Sequence, residues 1–443
     1  MKEKTKKYIK ELSQRKLVKN FLLIFTGQGI SSIFGIISTM IIVGGIGSEK
    51  HGILIVVQTY ATLFYSFFSF KTFSFKTFQA LIKYLAQAKK DKNKDDVKLY
   101  IKWSLFFDVC SLILMFIAGI LLRNPVIKLM GWPEEMKKYV VLYLITQVFY
   151  IQGTTIGVLR SYEKYNYVVI GQVITNVVRC IGYGICLLFS KNFVSFLIAE
   201  MVAVMTNNIL LIYYTYKVLK QEKLLDFYKV KLKNKKDFLV FNIYSNLTST
   251  LDLPINQLTQ LIINKYLGFA TNSAYNVFEK LGTVINKLGD PINQIIYPEM
   301  SVKVVEKDYE GAKKISMKLK KLMLGIFVVT ALGTILTYPL WFHFFIDDVN
   351  KYIGAFILYL AFISYVNAAM GTHNLFMALG YVKYNIPILI VVNTVYLIFL
   401  FFSIQSIGLV GVISAYIIQA FGMVMIKEFI MKKNNYRECL GGK

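Results

Sequence analysis

Residues 21–70 read FLLIFTGQGISSIFGIISTMIIV, then GGIGSEKHG, then ILIVVQTYATLFYSFFSF. Two apolar runs, 21–43 and 53–70, flank a short Gly-rich polar turn. About 20 apolar residues in a helix cross a hydrocarbon core of ~30 Å. The stretch therefore reads as a helical hairpin of membrane length, with 21–43 retained as a first span. Working outward, similar runs recur at 101–122, 139–158, 168–189 and 193–216. A second set falls at 238–262, 270–297, 322–346, 352–376, 384–402 and 407–430. Counting all of them gives twelve spans. The seventh and eighth runs are rich in polar residues, and dropping both would leave ten.

Composition agrees. The chain has 443 residues, 56% of them hydrophobic, with a mean hydropathy of +0.52. Charged residues are 17%, against roughly 25% in soluble domains. The net charge of +26 could signal nucleic-acid binding. Its distribution points elsewhere. With the N-terminus inside, 40 of the 51 Lys and Arg fall in inside segments, 8 in outside loops and 3 (Arg179, Lys280, Lys287) within spans. That bias is the positive-inside rule, with both termini inside. The short loops leave no room for an ATPase or a soluble catalytic domain. No nucleophile elbow, phosphate-binding loop, metalloprotease or dinucleotide motif occurs. Cys110, Cys180, Cys186 and Cys439 have neither metal spacing nor a disulfide pattern.

The chain also repeats itself. GIGSEKHGILIVV from Gly45 parallels KYLGFATNSAYNVF from Lys265, so Gly47 aligns with Gly268. Lys164-Tyr165-Asn166 parallels Lys383-Tyr384-Asn385 at almost the same offset. Six spans per half make the repeat parallel, a plan in which substrate binds near the membrane midplane between the halves. The expected fold is all-α and integral to the membrane: twelve helices in two pseudo-symmetric six-helix bundles, N-in and C-in. The expected parts are an inside segment 1–20, an N-lobe 21–219, a linker 220–237, a C-lobe 238–431 and a tail 432–443.

Polar residues inside spans are expensive and face a bundle interior or a hydrated cavity. At about 100° per residue, Asn276, Glu279, Thr283, Asn286, Lys287, Asp290, Asn293 and Gln294 share a stripe roughly 120° wide on the eighth helix. Pro291 offers a kink. Asn242, Asn246, Ser249, Asn256 and Gln260 form a similar stripe on the seventh, with Asp252 at its edge. These two faces could line an aqueous path. The competing reading of the eighth run is a helix lying in the interface. Arg179, mid-span in the fifth helix, fits either a phosphate contact or a structural pair with Glu200 or Asp108. Lys71 and Lys76 read as topology anchors or as the inner mouth of the path, and His373 as a satisfied interior residue.

At this point the chain resembles the polysaccharide flippases of the multidrug/oligosaccharidyl-lipid/polysaccharide (MOP) exporter superfamily, the Wzx-like branch. The resemblance rests on IIVGGIGSEKHGILIVVQTY in the first hairpin and FQALIKYLAQAKK from Phe78. It rests also on LIINKYLGFATNSAYNVFEKL from Leu261 and IIYPEMS from Ile295. The family's aspartate shortly before the Gly of its seventh hairpin has no clear match. Asn256 and Asn264 stand nearby, and Asp252 lies further upstream. The resemblance implies a flippase in the bacterial cytoplasmic membrane. Its substrate would be an undecaprenyl-pyrophosphate-linked oligosaccharide for O-antigen, capsule or a similar polymer. It implies no cofactor, and coupling to Na+, H+ or the membrane potential. Its partners would be the bilayer, the lipid-linked substrate and polymer-assembly proteins. Arg179, Lys280 and Lys287 would contact the anionic headgroup. Glu279, Asp290, Asn286, Asn246 and Asp252 would contact sugar or a coupling ion. A cation-coupled multidrug antiporter is the nearest alternative. A membrane polymerase or glycosyltransferase is a more distant one.

Overall fold

The computed structural model describes residues 2–68, 77–231 and 257–433. Every regular element among them is a helix. In chain order these are α1 (Lys2–Phe68), α2 (Thr77–Lys90), α3 (Lys94–Leu121), α4 (Arg123–Met130), α5 (Met136–Leu144) and α6 (Gln152–Ser161). They continue with α7 (Tyr165–Phe189), α8 (Phe193–Gln221), α9 (Thr259–Val305), α10 (Tyr309–Trp341), α11 (Val349–Ala378) and α12 (Asn385–Lys433).

Eight stretches among the described residues are long and apolar enough to cross a membrane. They are Leu23–Tyr65, Lys94–Leu121, Met136–Ser161, Tyr165–Phe189, Phe193–Gln221, Tyr309–Phe344, Val349–Ala378 and Asn385–Lys433. Two of these bend. α1 leaves helical geometry at Gly47, between the runs 21–43 and 53–70, and α12 at Ile407 and Gly408, at the start of the run 407–430. The second arm of α9 keeps helical dihedrals through Pro291. Most of the seventh run, with Asn246 and Asp252, lies outside the described residues, as do Lys71, Lys76 and Cys439.

The internal repeat is visible in the backbone. Gly47 has φ 79° and ψ 166°, and Gly268 has φ 84° and ψ 173°. A positive φ with extended ψ is open to glycine and closed to other residues. The two matched hairpins thus turn on the same backbone device. The second sequence match opens helices: α7 starts at Tyr165 and α12 at Asn385. A third match emerges only in three dimensions. Lys92 and Lys307 both take positive φ, and each is followed by a residue that caps the next helix. Asn93 accepts from the Asp96 amide at 3.0 Å, and Asp308 from the Gly311 amide at 2.9 Å. Asn and Asp suit such caps because their short side chains satisfy an otherwise orphaned amide.

The chain divides into two compact units, Met1–Gly45 with Val57–Leu253, and Ile46–Val56 with Pro254–Lys443. The first unit has a core around Leu81, Leu85, Ile101, Val158, Leu159 and Val218. The second has one around Met300, Ala312, Phe376, Ile388 and Met431. The division differs from the expected lobes in two places: the first unit runs on to Leu253, and the tip of the first hairpin, Ile46–Val56, groups with the second unit. The reason for the second is local. Gly52 has no Cβ, and one built there would sit 1.9 Å from the Phe269 carbonyl oxygen. Next to it, the buried His51 shares a hydrogen bond of 2.7 Å between Nδ1 and Ser273 Oγ.

One basic residue outside the apolar helices has an altered titration. Lys89, near the end of α2, donates to the Ser161 carbonyl at 2.8 Å and lies 3.1 Å from the Tyr162 ring centroid. Burial pushes its ammonium down to about 8, against the opposing pull of Glu222 and Glu163. The unfolded chain keeps this proton up to about 10.4. Folding therefore releases a proton between those values. This group favours the folded state increasingly as pH rises through that window, and the contribution is lost as pH falls through 8. Pulse acylation read by peptide mass spectrometry should show half-maximal Lys89 modification near pH 8 in the folded protein. In the denatured chain it should move about two pH units higher. Identical profiles would show that the burial is not felt.

Candidate functional site

In the first unit, Arg179 lies on α7 opposite Glu200 on α8. Its Nε donates to Glu200 Oε2 at 2.6 Å and its Nη2 to Glu200 Oε1 at 2.9 Å. Tyr183 Oη donates to the same carboxylate at 2.7 Å, and Nη1 of the arginine donates to Asn176 Oδ1. Asn176 in turn donates to Ser31 on α1 at 2.6 Å. The planar fork of Arg matches a carboxylate with two parallel bonds. Of the two carboxylates the sequence offered, Glu200 is the one engaged. Asp108 is occupied elsewhere.

That other engagement was not legible in the sequence. The fourth apolar run is broken. α5 ends at Leu144, a 3-10 turn covers Ile145–Phe149, and α6 starts at Gln152. A break inside a span frees backbone amides that lipid cannot satisfy. Asp108, mid-way along α3 and buried, caps the restart: its Oδ2 accepts from the Thr154 amide at 2.8 Å and from Thr154 Oγ1 at 2.5 Å. Gln152 donates to Asn208 of α8 at 3.1 Å. A carboxylate also favours the positive end of a helix dipole. The available signal was the polar run TQVFYIQGTT, 146–155, in a segment otherwise apolar.

In the second unit, the polar stripe on the second arm of α9 is divided between partners. Glu279 accepts from Gln260 Nε2 on the first arm at 2.6 Å, with Tyr275 and Asn276 also in hydrogen-bond reach. Asn286 accepts from Asn367 of α11 at 2.8 Å. Lys280 is half-buried and within electrostatic range of both Glu279 and His51. Lys287 is half-buried one turn beyond Thr283. The opposite face carries Val277, Phe278 and Ile285, all buried. Beside Glu279 stands a tyrosine group: Tyr275 donates to Tyr416 at 2.9 Å and meets Tyr359 edge-on. Asp290 belongs to the same helix, and its side chain lies outside the described residues.

The buried amides of α9 stand out. Both side-chain polar atoms of Asn264 and of Asn272, and Asn276 Oδ1, are buried without a hydrogen-bond partner. Buried polar groups without partners are rare in folded proteins. Here they sit on the same helix as the carboxylate and the two lysines, which is chemistry suited to a polar or hydrated ligand. Among the described residues, no group of three or more His, Cys, Asp or Glu side chains is placed to hold a metal ion.

A model of one protein family, described as polysaccharide biosynthesis protein, matches residues 17–304, well over half the chain. The chain belongs to the polysaccharide biosynthesis protein family. A curated relative, "Inner membrane protein YghQ" of Escherichia coli (strain K12), is 20% identical over 179 residues, 40% of this chain. The chain spans about half the length of that relative, 49%. Solved structures share the fold. An inward-facing multidrug resistance MATE family transporter of the MOP superfamily gives a TM-score of 0.73 at 14% identity, over 91% of this chain and 94% of that one. A mutant of the Vibrio cholerae MATE transporter VcmN gives 0.64 at 15% identity, over 95% and 97%. A MOP superfamily transporter from Pyrococcus furiosus, whose structure is described by the reverse polarity of its binding pocket, gives 0.63 at 14% identity, over 96% of each chain. This family member is therefore a multi-pass membrane protein with a MATE-like fold.

Proposed function

We propose that this polysaccharide biosynthesis family member is a flippase. It would move a polyprenyl-pyrophosphate-linked oligosaccharide from the inner to the outer leaflet of the cytoplasmic membrane by alternating access. Twelve spans with both termini inside complete the proposal. The observation that carries it is the second arm of α9, where Lys280 stands beside Glu279, Lys287 follows two turns on along the same face, and buried amides keep unused hydrogen-bonding capacity. A pyrophosphate-linked sugar needs cations for the phosphates and amides or carboxylates for the hydroxyls. Its headgroup is too polar for hydrocarbon, while its lipid tail is at home there. Glu279 is also the group best placed for coupling to Na+ or H+, and the membrane potential would act on any net charge moved. Polymer-assembly proteins are the expected partners.

The cation-coupled multidrug antiporter is the second reading, favoured by the MATE-type relatives in fold. An antiporter for cationic drugs would use Glu279 and would be hindered by Lys287. The test is a deletion strain carrying wild-type protein or Lys287→Ala. An impermeant sugar-modifying probe on intact spheroplasts and on lysed membranes reports which leaflet holds the lipid-linked oligosaccharide. The expected result is intermediate trapped on the cytoplasmic side in the deletion. Lys287→Ala should pass it at least about tenfold more slowly at equal protein abundance, the loss of one charge-assisted bond. Normal arrival at the outer leaflet in the deletion would remove the flippase and leave the antiporter.

A further inference from the structure

The second unit carries a groove away from the α9 stripe. α10 (Tyr309–Trp341) and the C-terminal arm of α12 (Asn385–Lys433) both pack on α11 (Val349–Ala378) and stand apart from each other over its face. The floor is a stripe of small residues, Ala361, Ser364 and Ala368, spaced to share one helix face. Leu324 and Phe327 form one wall and Val424 the other, enclosing a cavity of about 400 Å³. A second cavity of about 240 Å³ continues it past Ala369 and Val424, towards His373 and Lys427.

Its ends differ in chemistry. α10 starts, and α11 and α12 end, at the same Lys-rich end of the unit. There Lys427 is buried at 4% exposure, with Nζ 2.8 Å from His373 Nδ1. Sequence alone counts Lys427 with the charges of the tail. Lys320 reaches Glu428 at 3.3 Å across the groove mouth. Deeper in, the lining is mostly apolar, with Ser364 and Tyr365 as its polar members. That serine is 4% exposed, and its Oγ has no hydrogen-bond partner. A helical serine ordinarily bonds back to the carbonyl four residues earlier. Here the hydroxyl lines the cavity with its donor unused.

We propose that this groove binds one anionic glycerophospholipid. The phosphate sits by Lys427 and His373, the Ser364 hydroxyl donates to an ester carbonyl, and one acyl chain lies along Leu324, Phe327 and Ala361. Basic pockets between helices at the cytoplasmic end of a membrane protein suit anionic headgroups. The cavity is on the scale of a single acyl chain and far shorter than a polyprenyl chain, which favours a phospholipid over the carrier lipid. The site is independent of the flippase reading and would serve an antiporter equally.

The experiment is native mass spectrometry of the purified full chain with dioleoylphosphatidylglycerol or dioleoylphosphatidylcholine added at equal concentration. Wild type should retain the phosphatidylglycerol about tenfold better, the worth of one charge-assisted bond. Lys427→Gln should lose that preference while still holding both lipids weakly. Ala368→Phe, which fills the floor and leaves the charges intact, should lose both. Leu324→Trp fills the groove from its exposed wall and replaces Ala368→Phe if that variant does not fold. Equal retention of the two lipids by wild type would overturn the proposal, as would wild-type retention by a folded groove-filling variant. Displacement of phosphatidylglycerol by undecaprenyl phosphate at equal concentration would also overturn it, assigning the groove to the carrier lipid.

Discussion

Replacing Glu200 by Ala is expected to destabilise the first unit by about 3–5 kcal/mol, because it strands the Arg179 guanidinium in the span without its carboxylate. The side chains are 21% and 4% exposed, so water cannot take over the lost bonds. Tyr183 would lose its acceptor at the same time. Arg179→Ala should cost a similar amount for the mirror reason, leaving Glu200 charged and unpaired. The double change Arg179→Ala with Glu200→Ala should recover much of the loss, since removing both partners leaves no uncompensated buried charge. Thermal unfolding of the four proteins in detergent measures the cycle. A coupling energy near zero would mean that the pair does not hold α7 to α8. The same set separates structure from transport. If Arg179 serves only α7–α8 packing, the recovered double variant transports normally per folded molecule. If it also contacts substrate, the double variant folds and stays inactive.

Gly52→Ala is expected to be the most damaging small substitution in the hairpin tip. The added Cβ would fall 1.9 Å from the Phe269 carbonyl oxygen and 2.5 Å from its carbon. Those are backbone atoms at a turn already constrained by Gly268, so no side chain can swing aside. Overpacking of this kind costs roughly 1–3 kcal/mol when neighbours can adjust, and more is expected here. The repeat supplies a control. The position matching Gly52 at the Gly47–Gly268 offset is Ser273, which carries a side chain and bonds His51. Ser273→Ala should therefore lose one hydrogen bond, about 1 kcal/mol, and remain far milder than Gly52→Ala. Equal losses in folded yield and thermal midpoint for the two variants would remove the steric argument.

Much of the architecture could be read from residue order. The apolar runs at 168–189, 193–216 and 352–376 fall within single helices, α7, α8 and α11, and the run at 101–122 overruns α3 by one residue. Hydropathy succeeds here because a lipid-facing helix has no other way to satisfy its backbone. Gly47 and Gly268 were visible as a repeat because each turn admits only glycine. The site was less legible. Periodicity put Glu279, Asn286 and Lys287 on one face, but could not say that Asn286 would be taken by Asn367 and Glu279 by Gln260. Arg179 stood out as an expensive charge, while the choice between Glu200 and Asp108 depended on how α3, α6 and α8 meet. The break in the fourth run carries only a weak local signal, because the polar residues of TQVFYIQGTT alternate with apolar ones and the run still reads as a continuous helix.

Composition and the order of residues by themselves determined a helical membrane protein with a duplicated plan and a basic side. Those properties follow from transfer free energies and backbone sterics, which act residue by residue along the chain. The tertiary structure decided which charges are neutralised within a unit, where a span stops and restarts under Asp108, and where small residues leave a groove. Those outcomes depend on contacts between residues far apart in sequence, Asp108 with Thr154, Lys320 with Glu428 and Gly52 with Phe269, and no local pattern encodes such distances.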